Sequence, residues 1–308
     1  MNREAPTNSQ PSTLNSQLSR CRPLLGTFVE ITIHAGSEGV AARAMSDAFS
    51  AIGKVQELMS YHDPFSELTR LNCKAERAPV QVNRWTFAVL QTALALSAES
   101  DGAFDVTIAP RLASWGYLPR TPRMQKDERL ATWRDIELIG VCLVRYRRPL
   151  HIDLGGIAKG FAVDRAIEAA RAAGATAALV NAGGDLRAFG PEPWPVAIRH
   201  PARPGETAHS FALENAALAT SAAYFSRKKW RGCNVCPLVD GVTRRPCDDR
   251  LSISVQAPSA MLADALCKIV AARREAAAPL LARHKASAMI LDERGQCSYV
   301  AADMTATA

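Results

Sequence analysis

Residues 151–164, HIDLGGIAKGFAVD, constrain the fold of this chain more than any other stretch. An apolar run enters a Gly-Gly pair and passes into a segment that reads as helix, so a strand-to-helix turn is expected there. Gly155 and Gly156 let backbone approach a ligand closely, and a helix start beyond them offers free N–H groups to an anion. That pattern is neither G-x-G-x-x-G nor a P-loop. It fits a phosphate-bearing ligand at the turn, and equally a tight connection with no ligand.

The flanking segments make this turn one corner of an α+β (mixed α/β) domain with mixed sheets flanked by helices. GTFVEITI (26–33) alternates as a strand and should open the fold. Ala41, Met45, Ala48, Ile52, Val55 and Met59 recur at steps of four and three, one apolar face of a long helix that must break by Asp63–Pro64. Ser66 is expected to cap a short turn, residues 85–100 to form a second helix, and 109–117 a third with Pro110 in its first turn. LHIDL (150–154) reads as a strand, 157–173 as a helix, and 179–190 as two strands about a glycine turn. Short strands over 195–220, an irregular stretch over 226–250, a strand at 251–257, an Ala-rich helix from Ser259, a further helix and a hairpin complete the pattern. Helices and strands intersperse without regular alternation, which favours α+β over a doubly wound sheet.

At 308 residues the chain can bury a large core. The first 20 residues, polar and rich in Ser, Asn, Gln and Pro, are expected to be disordered, leaving 21–308 as the folded domain. That start lacks the apolar core of a secretory signal, and no apolar run is long enough to span a membrane. A cytoplasmic location with reduced thiols is therefore expected for the eight cysteines. Cys233 and Cys236 form a lone C-x-x-C with Cys247 beyond it, too few ligands in pattern for zinc to be expected. The net charge of +7 is scattered in short basic pieces with no aromatic interleaving. It suits a small polyanion and argues against nucleic acid.

Further motifs occur in one order: RPLLGT (22–27), MSYHDPFSELTRLN (59–72), GAFDVTIAP (102–110), DLGGIAKGFAVD (153–164), LVNAGGDLRAFG (179–190) and ADALCKIV (263–270). Together they resemble the ApbE-type FAD:protein FMN transferases over roughly residues 22–295. The resemblance implies Mg²⁺-dependent transfer of the FMN half of FAD to a Ser or Thr hydroxyl of a target protein, with release of AMP. It implies that Leu25, His62, Ala103, Phe104, Asp105, Gly155, Gly156, Lys159 and Lys268 line the flavin nucleotide site. It also implies that Asp264 and the Ala158 carbonyl hold the metal, since hard Mg²⁺ takes oxygen ligands.

Several positions depart from the family pattern. Its hydroxyl ligand, four residues after the aspartate, is Lys268 here, and an ammonium has no lone pair for a metal. Lys268 either replaces the cation at the pyrophosphate or forms a plain ion pair with Asp264. A flavin-stacking tyrosine is His62, and the methionine of the opening motif is Leu25. In PLVDGVTRRP (237–246), Pro237 stands where the family has a histidine suited to be a general base, and Arg244 where it has a turn glycine. No catalytic residue is therefore assigned. A flavin-binding protein without transfer activity on the same fold is the alternative. Simpler roles compete at single positions: Asp105 as a turn cap, Asp164 as a solvated helix carboxylate, and His62 as a helix-end residue.

Overall fold

The computed structural model describes residues 16–121, 124, 131–224 and 226–301. Strand β1 (Ser16–Leu24) pairs antiparallel along its whole length with β2 (Thr27–Ala35). Residues 16–20, expected to be disordered, are strand instead, because the β2 edge supplies backbone partners that their polar composition does not reveal. Residues 1–15 lie outside those described, as does most of the Pro- and Arg-rich stretch after 121. Leu25 and Gly26 make the connecting turn, both at positive φ (56° and 70°), the backbone of a two-residue hairpin loop.

Helix α1 (Glu38–Met59) starts at Ser37, whose hydroxyl accepts from the Val40 N–H, and buries the stripe from Ala41 to Met59. It packs lengthwise on α5 (Ala158–Ala172). Between them in the chain come α2 (Glu67–Lys74), capped by Ser66 as expected, β3 (Val80–Gln81), α3 (Arg84–Glu99), α4 (Ala109–Ser114), and the β4 (Ile136–Ile139) and β5 (Leu143–Tyr146) hairpin. β3, β5 and β4 form a small separate sheet.

The chain then builds the main sheet from β6 (Ala177–Ala182), β7 (Asp185–Phe189), β10 (Ala217–Ala222), β13 (Ser252–Ala257), β14 (Ser287–Leu291) and β15 (Cys297–Val300), added to β1 and β2. The α+β expectation holds, but this sheet is antiparallel at every pairing rather than mixed. The physical reason is the return path: the helical excursion brings the chain back beside the end of β2, where Thr176 N–H donates to His34 O. β6 must then run against β2.

The pleat sorts side chains by parity. Ile253, Val255, Ala288 and Ile290 face the helical layer of α1, α5 and α6 (Ala260–Arg273). Leu186, Leu218, Met289 and Leu291 face away. They are covered by the hairpin of β8 (Trp194–Arg199) and β9 (Thr207–Leu213), through Val196, Ile198, Phe211 and Leu213. A short hairpin, β11 (Lys228–Trp230) and β12 (Cys233–Val235), and helix α7 (Ala278–Arg283) complete the elements.

One expected strand is not present. LHIDL is extended and mostly buried but joins no sheet. Its backbone is satisfied otherwise: Ile152 N–H donates to Asn72 Oδ1 and Ile152 O accepts from Asn72 Nδ2, both at 2.9 Å, while Asp153 N–H donates to Val106 O. An Asn side chain thus replaces the neighbouring strand.

Candidate active site

One end of the sheet gathers the Gly-rich corners. Gly183 and Gly184 close the β6–β7 turn at φ 64° and 100°, and a Cβ on Gly183 would lie 2.5 Å from Thr27 Oγ1. The turn therefore packs on the first residue of β2, beside the Leu25–Gly26 turn. Leu25 N–H donates to Gln56 Oε1 at 2.6 Å, which ties that turn to α1. Asp185, the first residue of β7, and Ser221 near the end of β10 open at the same end.

Helix α5 rises from the Gly155–Gly156 turn with no side-chain cap. Ala158 and Lys159 form its start, and Gly160 allows a very close crossing with α6: a Cβ there would lie 2.1 Å from Ala260 O. Asp164, one turn on, is buried rather than solvated. Its carboxylate accepts from the Ala260 and Met261 N–H groups at 2.9 Å and from Arg187 Nη1 at 2.7 Å. It therefore caps the N-terminus of α6 from outside the helix. Burial pushes its carboxyl upward, against the pull of Arg187 and the two N–H groups.

This crossing fixes the cluster that the sequence motifs point to. Asp264 is fully buried. Its Oδ1 accepts from the Lys268 ammonium one turn later, and its Oδ2 accepts from Gly160 N–H at 3.2 Å with Lys159 Nζ at 3.6 Å. Lys159 pairs with Asp185, and Lys268 Nζ also donates to Ser221 Oγ at 3.0 Å. Burial opposes ionisation of Asp264, but the Lys159 and Lys268 charges prevail and hold its carboxyl below the usual carboxylate range. Asp185 is pushed up by burial and by the Asp264 charge beside it. The Asp185 and Asp264 carboxylates hold Lys159 above the ordinary lysine value, overcoming the opposing effect of burial.

GAFD lies against the same turn. A Cβ on Gly156 would lie 3.5 Å from both Phe104 Cε2 and Lys268 Cε, so the α3–α4 loop, the Gly-Gly turn and α6 meet at that point. Ala103 is buried, and its carbonyl accepts from Gly241 N–H at 2.9 Å. Asp105 Oδ1 accepts from the Thr107 N–H and hydroxyl, both at 2.8 Å, and Oδ2 from Arg244 Nη2 at 2.9 Å. Its carboxylate is thus spent on organising the loop, which agrees with the simpler role of turn cap. Arg244 keeps a left-handed backbone, φ 55°, at the turn position where the family has glycine. His62 is exposed beyond the end of α1, its ring edge-on to Tyr61 at 6.5 Å between centroids. The Asp153 carboxyl of the Gly-Gly segment is raised chiefly by burial.

The ApbE family profile matches residues 25–291, which takes in every one of these corners. The chain belongs to the ApbE family. An FAD:protein FMN transferase of Haemophilus influenzae is 31% identical over 252 residues, spanning 75% of this chain and 73% of that protein. A Vibrio cholerae FAD:protein FMN transferase is 31% identical over 227 residues, 69% of this chain and 68% of that protein. The solved Vibrio cholerae flavin transferase ApbE superposes with a TM-score of 0.79 at 25% identity, covering 94% of this chain and 97% of that one. The Thermotoga maritima ApbE protein shares the fold, with a TM-score of 0.82 at 24% identity and 92% and 97% coverage.

Within this ApbE-family chain the residues around Asp264 do not fit the Mg²⁺ that the resemblance implies. Both carboxylate oxygens already accept from N–H groups, and the hydroxyl position of the motif carries an ammonium. Among the described residues no group of three or more His, Cys, Asp or Glu side chains is placed to hold a metal ion. The loop cysteines diverge: Cys233 is exposed, while the buried Cys236 thiol donates to Leu238 O at 3.3 Å. Among the described residues no helix is long and apolar enough to cross a membrane.

Sequence reasoning missed three members of this network. Asp185 follows the second Gly-Gly pair directly, a signal parallel to Asp153 before the first. Ser221 and the Arg244 guanidinium carry no local signal, since their partners are brought to them by other strands and loops.

Proposed function

We propose that the chain is an FAD:protein FMN transferase, moving FMN from FAD to a Ser or Thr hydroxyl of a target protein and releasing AMP. The observation that carries this reading is the meeting of Phe104, Gly156 and Lys268, members of three separate motifs, at one end of the sheet. The named activity of the Haemophilus influenzae and Vibrio cholerae relatives supports it. The Gly155–Gly156 turn and the start of α5 receive the pyrophosphate, since small residues and a helix N-terminus admit an anion. Ala103 and Phe104 border the flavin half, with His62 and Leu25 at its rim, and Asp105 holds their loop through Thr107 and Arg244. The target's hydroxyl oxygen attacks the phosphorus on the FMN side of the pyrophosphate. The bond to the bridging oxygen breaks, AMP leaves with that oxygen, and the hydroxyl proton passes to AMP or solvent. Electrostatic stabilisation of the phosphate charge falls to the Lys159 and Lys268 side of the turn. A proline at 237 supplies no base, so slow turnover is expected.

The test is incubation of the purified chain with FAD and a bacterial lysate as acceptor source, following in-gel flavin fluorescence and AMP together. Covalent flavin with matching AMP is expected. Tight FAD binding with neither product would instead establish the flavin-binding protein without transfer activity.

A further inference from the structure

We propose that the ammoniums of Lys159 and Lys268 take the place of a divalent cation, so that this chain binds a nucleotide pyrophosphate without Mg²⁺. The inference rests on the flavin-nucleotide reading above and assigns the positive charge of that site to the protein itself.

The arrangement has a floor and a face. Asp185 and Asp264 form the floor, with side chains 2% and 0% exposed. Lys159 and Lys268 lie over them with side chains 31% and 17% exposed, so the lysine side chains and not the carboxylates reach the surface. Each lysine is held by its own carboxylate, Lys159 by Asp185 and Lys268 by Asp264, and Ser221 fixes Lys268 from a third element. An ammonium has more N–H donors than these acceptors take up, so donors remain for a ligand oxygen. Both stems start on the elements that flank the Gly155–Gly156 turn, and the Lys268 stem lies 3.5 Å from where a Gly156 side chain would begin. The glycine keeps open the ground that the lysine borders. Lysine is a compact point charge suited to phosphate.

A metal has no comparable place. Bringing Mg²⁺ to Asp264 Oδ1 would require expelling the Lys268 ammonium from the same oxygen, with Lys159 Nζ only 3.6 Å from the other. A buried carboxylate that already has an ammonium and a backbone N–H offers no free oxygen for a hard cation. The Lys268 ammonium also accounts for the one change at this place: the motif's aspartate is retained while its hydroxyl is an ammonium.

The experiment is titration calorimetry of FAD into the full chain at about 0.15 M ionic strength, once in EDTA and once in Mg²⁺. Wild type is expected to bind with affinities within about threefold in the two media, and more weakly as salt rises. Lys268→Ala, checked for folding by thermal melting, should lose about tenfold in both media. Lys268→Thr, which returns a neutral hydroxyl and frees Asp264, should bind about tenfold more tightly in Mg²⁺ than in EDTA. Wild-type binding that needs Mg²⁺ by about tenfold would overturn the inference, and so would a folded Lys268→Ala chain that binds like wild type. Absence of FAD binding to wild type in either medium would overturn the flavin reading itself.

Discussion

Replacing Gly160 by alanine tests the crossing of α5 and α6 on which the whole site depends. The new Cβ would lie 2.1 Å from Ala260 O, 2.5 Å from Ala260 C and 2.8 Å from Met261 N. These are backbone atoms of the first turn of α6, so no side chain can swing aside and the helices must separate. Intrinsic propensity alone favours the change, by ~1 kcal/mol for alanine over glycine inside a helix. Against it stand overpacking, which costs ~1–3 kcal/mol, and loss of the Gly160 N–H bond to the Asp264 carboxylate, worth ~1.5–3 kcal/mol for a charged acceptor. The net expectation is destabilisation by about 1.5–5 kcal/mol. At ~2–4 °C per kcal/mol for a large domain, the melting temperature should fall by roughly 3–20 °C. The control is Gly53→Ala in α1, where nothing lies within 4 Å of the new Cβ and propensity should act unopposed. Differential scanning calorimetry of both variants decides the matter. A Gly160→Ala melting temperature equal to or above wild type, in step with Gly53→Ala, would refute the close crossing.

Three further outcomes are expected. Asp164→Ala strips Arg187 and two α6 N–H groups of their acceptor, so unfolding in urea should show a loss of ~3–5 kcal/mol, the cost of leaving a buried charge unpaired. Burial pushes the Cys236 thiol up to about 11 and those of Cys247 and Cys267 to about 12, from an ordinary 9.0. The folded chain then holds protons that the unfolded chain releases, so this stability is complete below pH 9 and is lost as pH rises from 9 towards 12. Urea midpoints at pH 8 and pH 10 should differ, and Cys267→Ala should reduce the difference; equal midpoints in wild type would contradict it. Arg244→Ala removes the cation from Asp105 while keeping the strained backbone, so it should lower the melting temperature and weaken FAD binding together. Loss of only one of the two would separate Asp105 from the flavin loop.

Much of this protein can be read from its residues alone. The α1 stripe, the Ser66 cap and the glycine-closed β6–β7 hairpin are local consequences of spacing and backbone preference, and the structure reproduces them. The ordered motifs identify the family, because their residue types and succession are properties of the chain itself. What lay beyond sequence reading is pairing across distance. LHIDL has the pattern of a strand, yet Asn72 satisfies its backbone from a helix far away in the chain. Asp164 reads as a solvated helix carboxylate, and Arg244 as a turn residue out of pattern. Only packing turns the first into the cap of α6 and the second into the partner of Asp105. Lys268 left two readings open by sequence, a replacement cation or an ion pair with Asp264. Tertiary structure shows the ion pair and what surrounds it: Asp185, Ser221 and Gly160 arrive from β7, β10 and α5, bonding Lys159, Lys268 and the buried Asp264 carboxylate. The physical reason is that charge placement depends on which elements share one end of the sheet, and that follows from the packing of α5 on α6, not from the order of residues in any one motif.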